Sequence, residues 1–147
     1  MIPWPDAVVA CRRLFVYGSL RRGFRLHHQL ARLGAGFVME AKVAGELFDL
    51  GRYPGARPAK GEGKWVLGEV FQLLHAEHDL KVLDEVEGFI PADPERSEFV
   101  RALAEVILPH GAHESAWIYW LSKESLAGCR RIASGDYASW RARTERI

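Results

Sequence analysis

The sequence predicts an α+β fold, on three observations. Its apolar residues fall mainly into short strand-like runs, and few segments carry the i, i+3, i+4 spacing of a helix. The two kinds do not alternate in the strict order of a doubly wound sheet. The chain has 147 residues, 48% hydrophobic and 27% charged, which is ordinary globular usage. A domain of this size buries roughly 68–70% of the surface its unfolded chain exposes. Residues 1–147 therefore read as one domain, with a core over about 13–140.

The elements follow in order. Leu14-Phe15-Val16-Tyr17 is an apolar run closed by Gly18, which predicts a buried strand. Leu26, Leu30 and Leu33 lie at helical spacing, and Gly34 and Gly36 end that helix. Phe37 to Leu50 is strand-like, with Gly45 marking a bulge or a close backbone approach. "DLGRYPGARPAKGEGK" reads as a loop, with "KGEGKW" a hairpin turn, and Trp65 to Leu74 as a strand. Ala76 to Val86 is an amphipathic helix through Leu80, Leu83 and Val86, with Gly88 as its C-terminal cap. After the loop "IPADPERS", Phe99 to Leu108 and Ala116 to Leu121 are two strands joined by "PHGAHES". A final helix starts near Ser134-Gly135-Asp136, with Asp136 as N-cap.

Composition excludes several functions. The net charge of +1 gives no global field for nucleic acid or membrane. The basic clusters (Arg12-Arg13, Arg21-Arg22 with Arg25, Arg130-Arg131, and Arg141 with Arg143 and Arg146) are short, scattered and outside any nucleic-acid-binding module. Cys11 and Cys129 have neither metal nor redox spacing. No apolar stretch is long enough to span a membrane, and the start lacks the pattern of a signal peptide. The expectation is a cytoplasmic protein without nucleic-acid or membrane partners. The pairs His75/His78 and His110/His113 lack an accompanying ligand set. "KGEGKW" lacks phosphate-loop spacing. No metal and no cofactor is expected.

Two features carry chemistry. Glu87 in "VLDEVEGF" sits at the C-terminal end of a predicted helix, where the dipole places about half a negative charge. Asp84 lies one turn back and Glu85 nearby, so partial burial would raise the carboxyl's pKa. Such a group is either a general acid/base tuned toward neutrality or an exposed acidic helix end. Tyr17-Gly18-Ser19-Leu20 is either an anion-binding concavity of backbone N–H groups or an ordinary turn. Ser19 is not framed as a hydrolase nucleophile.

Taken together, Tyr17-Gly18-Ser19-Leu20 with Gly23, "DLGRYPG", "VLGEVF", "LDEVEGF", Arg101, "AWIYW" and "GDYASW" resemble the γ-glutamylcyclotransferase-like superfamily, which includes γ-glutamylamine cyclotransferases and AIG2-like proteins. The resemblance runs from about Leu14 to Trp140. It implies a small, partly closed mixed β-barrel with a few flanking helices and a pocket at one mouth. It implies Glu87 as general acid/base, with Tyr17, Gly18, Ser19 and Leu20 lining the pocket and offering backbone donors. Tyr119 is a further candidate to present a hydroxyl to substrate. The implied reaction is cyclisation of a γ-glutamyl amide to 5-oxoproline with release of an amine or amino acid. The alternative is a non-catalytic binding or regulatory module that keeps the same pocket. The chain departs from the family at Phe99, where a tyrosine is usual two residues before Arg101. A monomer or homodimer is expected.

Overall fold

A computed structural model describes residues 11–59, 63–122, 126 and 128–144. The strands are β1 (Arg13–Val16), β2 (Gly36–Asp49), β3 (Pro54–Pro58), β4 (Trp65–Gln72), β5 (Phe99–Ile107), β6 (His113–Leu121) and β7 (Arg130–Arg131). The helices are α1 (His27–Arg32), α2 (Ala76–Glu87) and α3 (Tyr137–Thr144), with a 3₁₀ turn at Pro94–Arg96.

Five strands close a mixed barrel in the order β2-β4-β1-β6-β5, with β5 returning to β2 at Lys42 and Ile107. Among the described residues only β1 and β6 pair in parallel, with Leu14 opposite Trp117; the other described pairs are antiparallel. That parallel pair brings the carboxyl ends of β1 and β6 to one mouth. The start of β5 joins them there, because Phe99 pairs with Leu121. The fold class is thus α+β with a small closed barrel.

Period-2 alternation divides the core into two layers. Phe15, Val43, Val66, Val70, Val106, Ala116 and Ile118 come from all five barrel strands and fill the interior. Leu14, Val16, Phe71, Tyr119 and Leu121 face outward and bury Leu30 of α1 and Leu80 and Leu83 of α2. Helix α2 is amphipathic as its spacing predicts, and its position fixes one side of the mouth.

Two expectations on local structure change, and a third resolves between its alternatives. The proline- and glycine-rich loop contains β3, which pairs residue by residue with Gly45 to Asp49 of β2. Gly36 opens β2 instead of ending α1. Gly45 breaks no strand. It stands where β2 leaves β4, whose last partner is Ala44, and takes up β3. A side chain at 45 would press on the Arg57 carbonyl at 2.9 Å and the Trp120 ring at 3.3 Å, so the close-approach reading holds. The register shift lies instead between Phe37 and Met39. Asp136 caps α3, accepting from the Ala138 N–H at 3.1 Å. Of the "KGEGKW" turn, Lys60 to Glu62 lie outside the described residues.

Candidate functional site

A pocket of about 190 Å³ opens at the mouth that β1 and β6 share. It is smaller than the 300–1,000 Å³ typical of drug-sized ligands and suits a small polar group. One wall is the segment after β1, Tyr17 to Leu20, with Arg25 further along. Another is the end of α2, Glu85 to Gly88. Tyr53 and Pro54, then Glu98 and Phe99, and Tyr119 complete it. Tyr17, Gly18, Ser19, Leu20, Glu87 and Tyr119, singled out in the sequence, therefore meet at one cavity.

Glu87 ends α2 because Gly88 follows it in the left-handed conformation, φ 69° and ψ 33°. The N–H groups of Gly88 and Phe89 then close on the carbonyls of Glu85 and Asp84 at 3.2 and 2.8 Å. The last turn of α2 contains no basic residue. Among the described residues Glu87 finds no hydrogen-bond partner, and its side chain is only partly exposed. Burial lifts its carboxyl to a pKa of about 7. The direction and the part played by burial match the sequence reading, while the like charge expected from Asp84 does not enter. Asp84 does not act on Glu87 as a free like charge, because Arg101 holds it. Arg101 Nε and Nη2 donate to the two Asp84 oxygens at 2.7 and 3.1 Å. The guanidinium also stacks on the Trp117 ring, 4.5 Å from its centre.

The wall after β1 is built by internal turns. The Gly18 carbonyl accepts the Arg21 N–H and the Ser19 carbonyl the Leu26 N–H, each at 2.9 Å. No hydrogen bond to another described residue engages the N–H groups of Gly18, Ser19 or Leu20. Three unpaired donors beside a cavity form the kind of concavity that takes an anionic or carbonyl oxygen. The buried Glu69 of β4 anchors the segment, accepting the Arg22 N–H at 2.9 Å and Nε at 3.2 Å. Gly18 has an ordinary φ, so the glycine is required for another reason: a Cβ there would overlap the ring of Pro54.

The two tyrosine hydroxyls are engaged by protein. Tyr17 Oη donates to the Tyr119 carbonyl at 2.7 Å and accepts the Ala56 N–H at 3.1 Å. Tyr119 Oη donates to Asp84 at 2.7 Å. Desolvation raises both phenol pKa values far above normal, helped by the Glu87 charge at Tyr17 and by the Asp84 hydrogen bond and charge at Tyr119, so both stay protonated. The rings line the pocket, while the hydroxyls point to partners in its frame. Phe99 is buried against Tyr53, whose hydroxyl donates to the Glu98 carboxylate at the rim.

Asp84, Tyr53, Glu69 and Glu98 belong to this site although the sequence did not single them out for it. Their partners lie 17 to 47 residues away, so only the folded topology pairs them. His78 Nδ1 meets Asp79 at 3.0 Å, and His113 meets Glu105. No cluster of three metal-ligating side chains occurs among the described residues.

Comparison with known proteins follows this geometry. The family model for γ-glutamyl cyclotransferase, AIG2-like, matches residues 14–139. The γ-glutamylcyclotransferase family protein YtfP of Escherichia coli (strain K12) is 34% identical over 127 residues, covering 85% of this chain and 95% of that protein. Protein PH0828 from Pyrococcus horikoshii superposes with a TM-score of 0.62 at 25% identity, covering 91% of this chain and 96% of the other. An AIG2-like protein from Mus musculus superposes with a TM-score of 0.63 at 21% identity, over 79% and 80% of the two chains, a likeness of fold.

Proposed function

The chain belongs to the γ-glutamyl cyclotransferase, AIG2-like family, and from that premise we propose that it cyclises a γ-glutamyl amide to 5-oxoproline, with Glu87 as general acid/base. One observation carries the reading. A partly buried carboxyl with a pKa of about 7 and no partner among the described residues lines the same cavity as three unpaired backbone N–H groups.

The substrate brings its own nucleophile. Its α-amine reaches its γ-carbonyl and closes a five-membered lactam, so the pocket's task is to hold a near-attack conformer. Ionised Glu87 takes a proton from the α-ammonium, and the freed amine attacks the γ-carbonyl carbon. The N–H groups of Gly18 to Leu20 steady the substrate carboxylate or the oxygen on which charge develops. Protonated Glu87 then gives its proton to the leaving nitrogen as the old amide bond breaks, and the second proton of the attacking nitrogen passes to the released amine, which leaves as its ammonium form. The enzyme returns to its starting state, and the products are 5-oxoproline and an amine or amino acid. A carboxyl titrating near neutrality suits both halves of that exchange. Tyr17, Ser19 and Tyr119 shape the walls that hold the γ-glutamyl chain.

A panel of γ-glutamyl amino acids, γ-glutamylamines and glutathione, assayed for 5-oxoproline, tests the reading. Lactam from at least one class is expected, and none from any would favour a module that binds without turnover.

A further inference from the structure

The cavity's two chemical walls are joined behind the pocket by one chain of contacts, with hydrogen bonds on either side of Tyr119 and that residue's own covalent frame between them. It starts at the Ala56 N–H of β3, passes through the Tyr17 hydroxyl to the Tyr119 carbonyl, and so reaches β6. From the same Tyr119 the side-chain hydroxyl runs to Asp84 of α2, and Arg101 of β5 closes the chain on that carboxylate. All five of its contacts measure 3.1 Å or less, and the three made by the tyrosine hydroxyls are buried. Asp84 is three residues before Glu87, and Tyr17 immediately precedes Gly18. Tyr17 and Asp84 therefore each tie one wall of the pocket to Tyr119.

We infer that Asp84, Tyr119 and Arg101 are positioning residues, which hold the end of α2 so that Glu87 faces the Gly18–Leu20 amides at the working separation. The inference rests on the reading of Glu87 given above. The alternatives within the site fit less well. The Tyr119 hydroxyl donates to Asp84, so it does not serve as a substrate donor without breaking that bond. Arg101 is engaged by Asp84 and stacked on Trp117, so it is not a free cation for a substrate carboxylate. The placement also explains a local oddity. An acidic helix end opposes its own dipole, and Arg101, reaching in from another element, neutralises Asp84 while leaving Glu87 unpaired.

Tyr119→Phe tests this with little change of shape, since it removes one hydroxyl and keeps the ring. Arg101→Met is the second variant, and both are read by kcat, KM and the titration of Glu87. The titration is followed by NMR of ¹³C-labelled glutamate carboxyls, with the Glu87 signal identified by its loss in Glu87→Gln. The groups around that carboxyl are Tyr17, Tyr53, Tyr119, Glu85, Asp84, Glu98, Arg25 and Arg101. Expected are a fall in kcat of about tenfold to a hundredfold in both variants, a KM that moves much less, and, in Tyr119→Phe, a Glu87 midpoint that drops toward the ordinary glutamate value as water reaches it. In Arg101→Met the freed Asp84 charge opposes that drop, so its midpoint lies above that of Tyr119→Phe. Val106→Ala, in the barrel interior toward the far end of β5, serves as a stability control. It lowers Tm without changing kcat or the midpoint. If Tyr119→Phe and Arg101→Met lower only Tm, as the control does, the positioning role is wrong although Glu87→Gln is inactive. If Glu87→Gln itself retains full turnover, the reading of Glu87 and this inference fall together.

Discussion

Gly18 lies against the ring of Pro54 so closely that no side chain fits between them. The contact joins the segment after β1 to the first residue of β3, and both line the pocket. It gives "YGSL" a physical requirement for glycine that has nothing to do with a positive φ.

Gly18→Ala is therefore expected to push the segment or β3 outward. Overpacking of this kind costs about 1–3 kcal/mol, and kcat/KM should fall by roughly tenfold or more as the donors shift. Gly36→Ala is the contrast, because open space surrounds that position and its φ is ordinary. Thermal melts and steady-state kinetics on the pair decide the matter; equal behaviour of the two variants would contradict the contact's role.

Much of this was legible in the chain. The apolar run from Leu14 to Tyr17, the spacing of Leu80 and Leu83 and the glycine after Glu87 each fix their element through local chemistry, and the elements formed as expected. Glu87 was recognisable because an acid at a helix C-terminus departs from the local charge rule, and the Tyr17–Leu20 segment gained its weight from the resemblance. What stayed hidden depends on tertiary pairing. The Asp84–Arg101 pair was invisible because helix α2 meets β5 only in the folded barrel, and Asp84 in isolation looks like one more acid at a helix end. For the same reason the expected rise in the Glu87 pKa joined like charge and dipole to partial burial, when Arg101 holds Asp84 and burial is the cause. Strand β3 was missed because two prolines and a glycine in five residues suppress the strand signal, although it needs only β2 as a partner.

Glu69 is a buried carboxylate whose partners both come from Arg22. Glu69→Ala removes the acceptor of a loop N–H and should cost about 1–3 kcal/mol, with faster amide hydrogen exchange across residues 18–22. Glu69→Gln keeps one acceptor and should lie between that variant and wild type. Unchanged exchange in Glu69→Ala would show that the segment holds its shape without this anchor.

Glu87 should also leave a mark on stability. Its folded pKa of about 7 lies above the ordinary 4.5, so the folded state binds the proton more tightly than the unfolded chain. That contribution is fully present below about pH 4.5 and is lost as pH rises through 7. Glu87→Gln removes the cost of ionising a buried carboxyl, so its Tm should exceed wild type at pH 8, by an amount worth roughly 1–3 kcal/mol, and match it near pH 4. A Tm difference independent of pH would argue that the group is solvated.

The rate should follow the same group. The ionised form starts the cycle, so kcat/KM should rise with pH on an acidic limb centred near 7, the value burial imposes on Glu87. A limb centred near the ordinary carboxylate value would place the essential base in water or on another residue.

The most direct measurement is 5-oxoproline release by Glu87→Gln, on whichever γ-glutamyl substrate wild type turns over best. Glutamine keeps the shape of the side chain and cannot accept the proton. The expected result is lactam formation reduced at least about a hundredfold, the scale of general acid/base catalysis, in a protein that melts no lower than wild type at pH 8. Turnover equal to wild type would contradict the account at its centre.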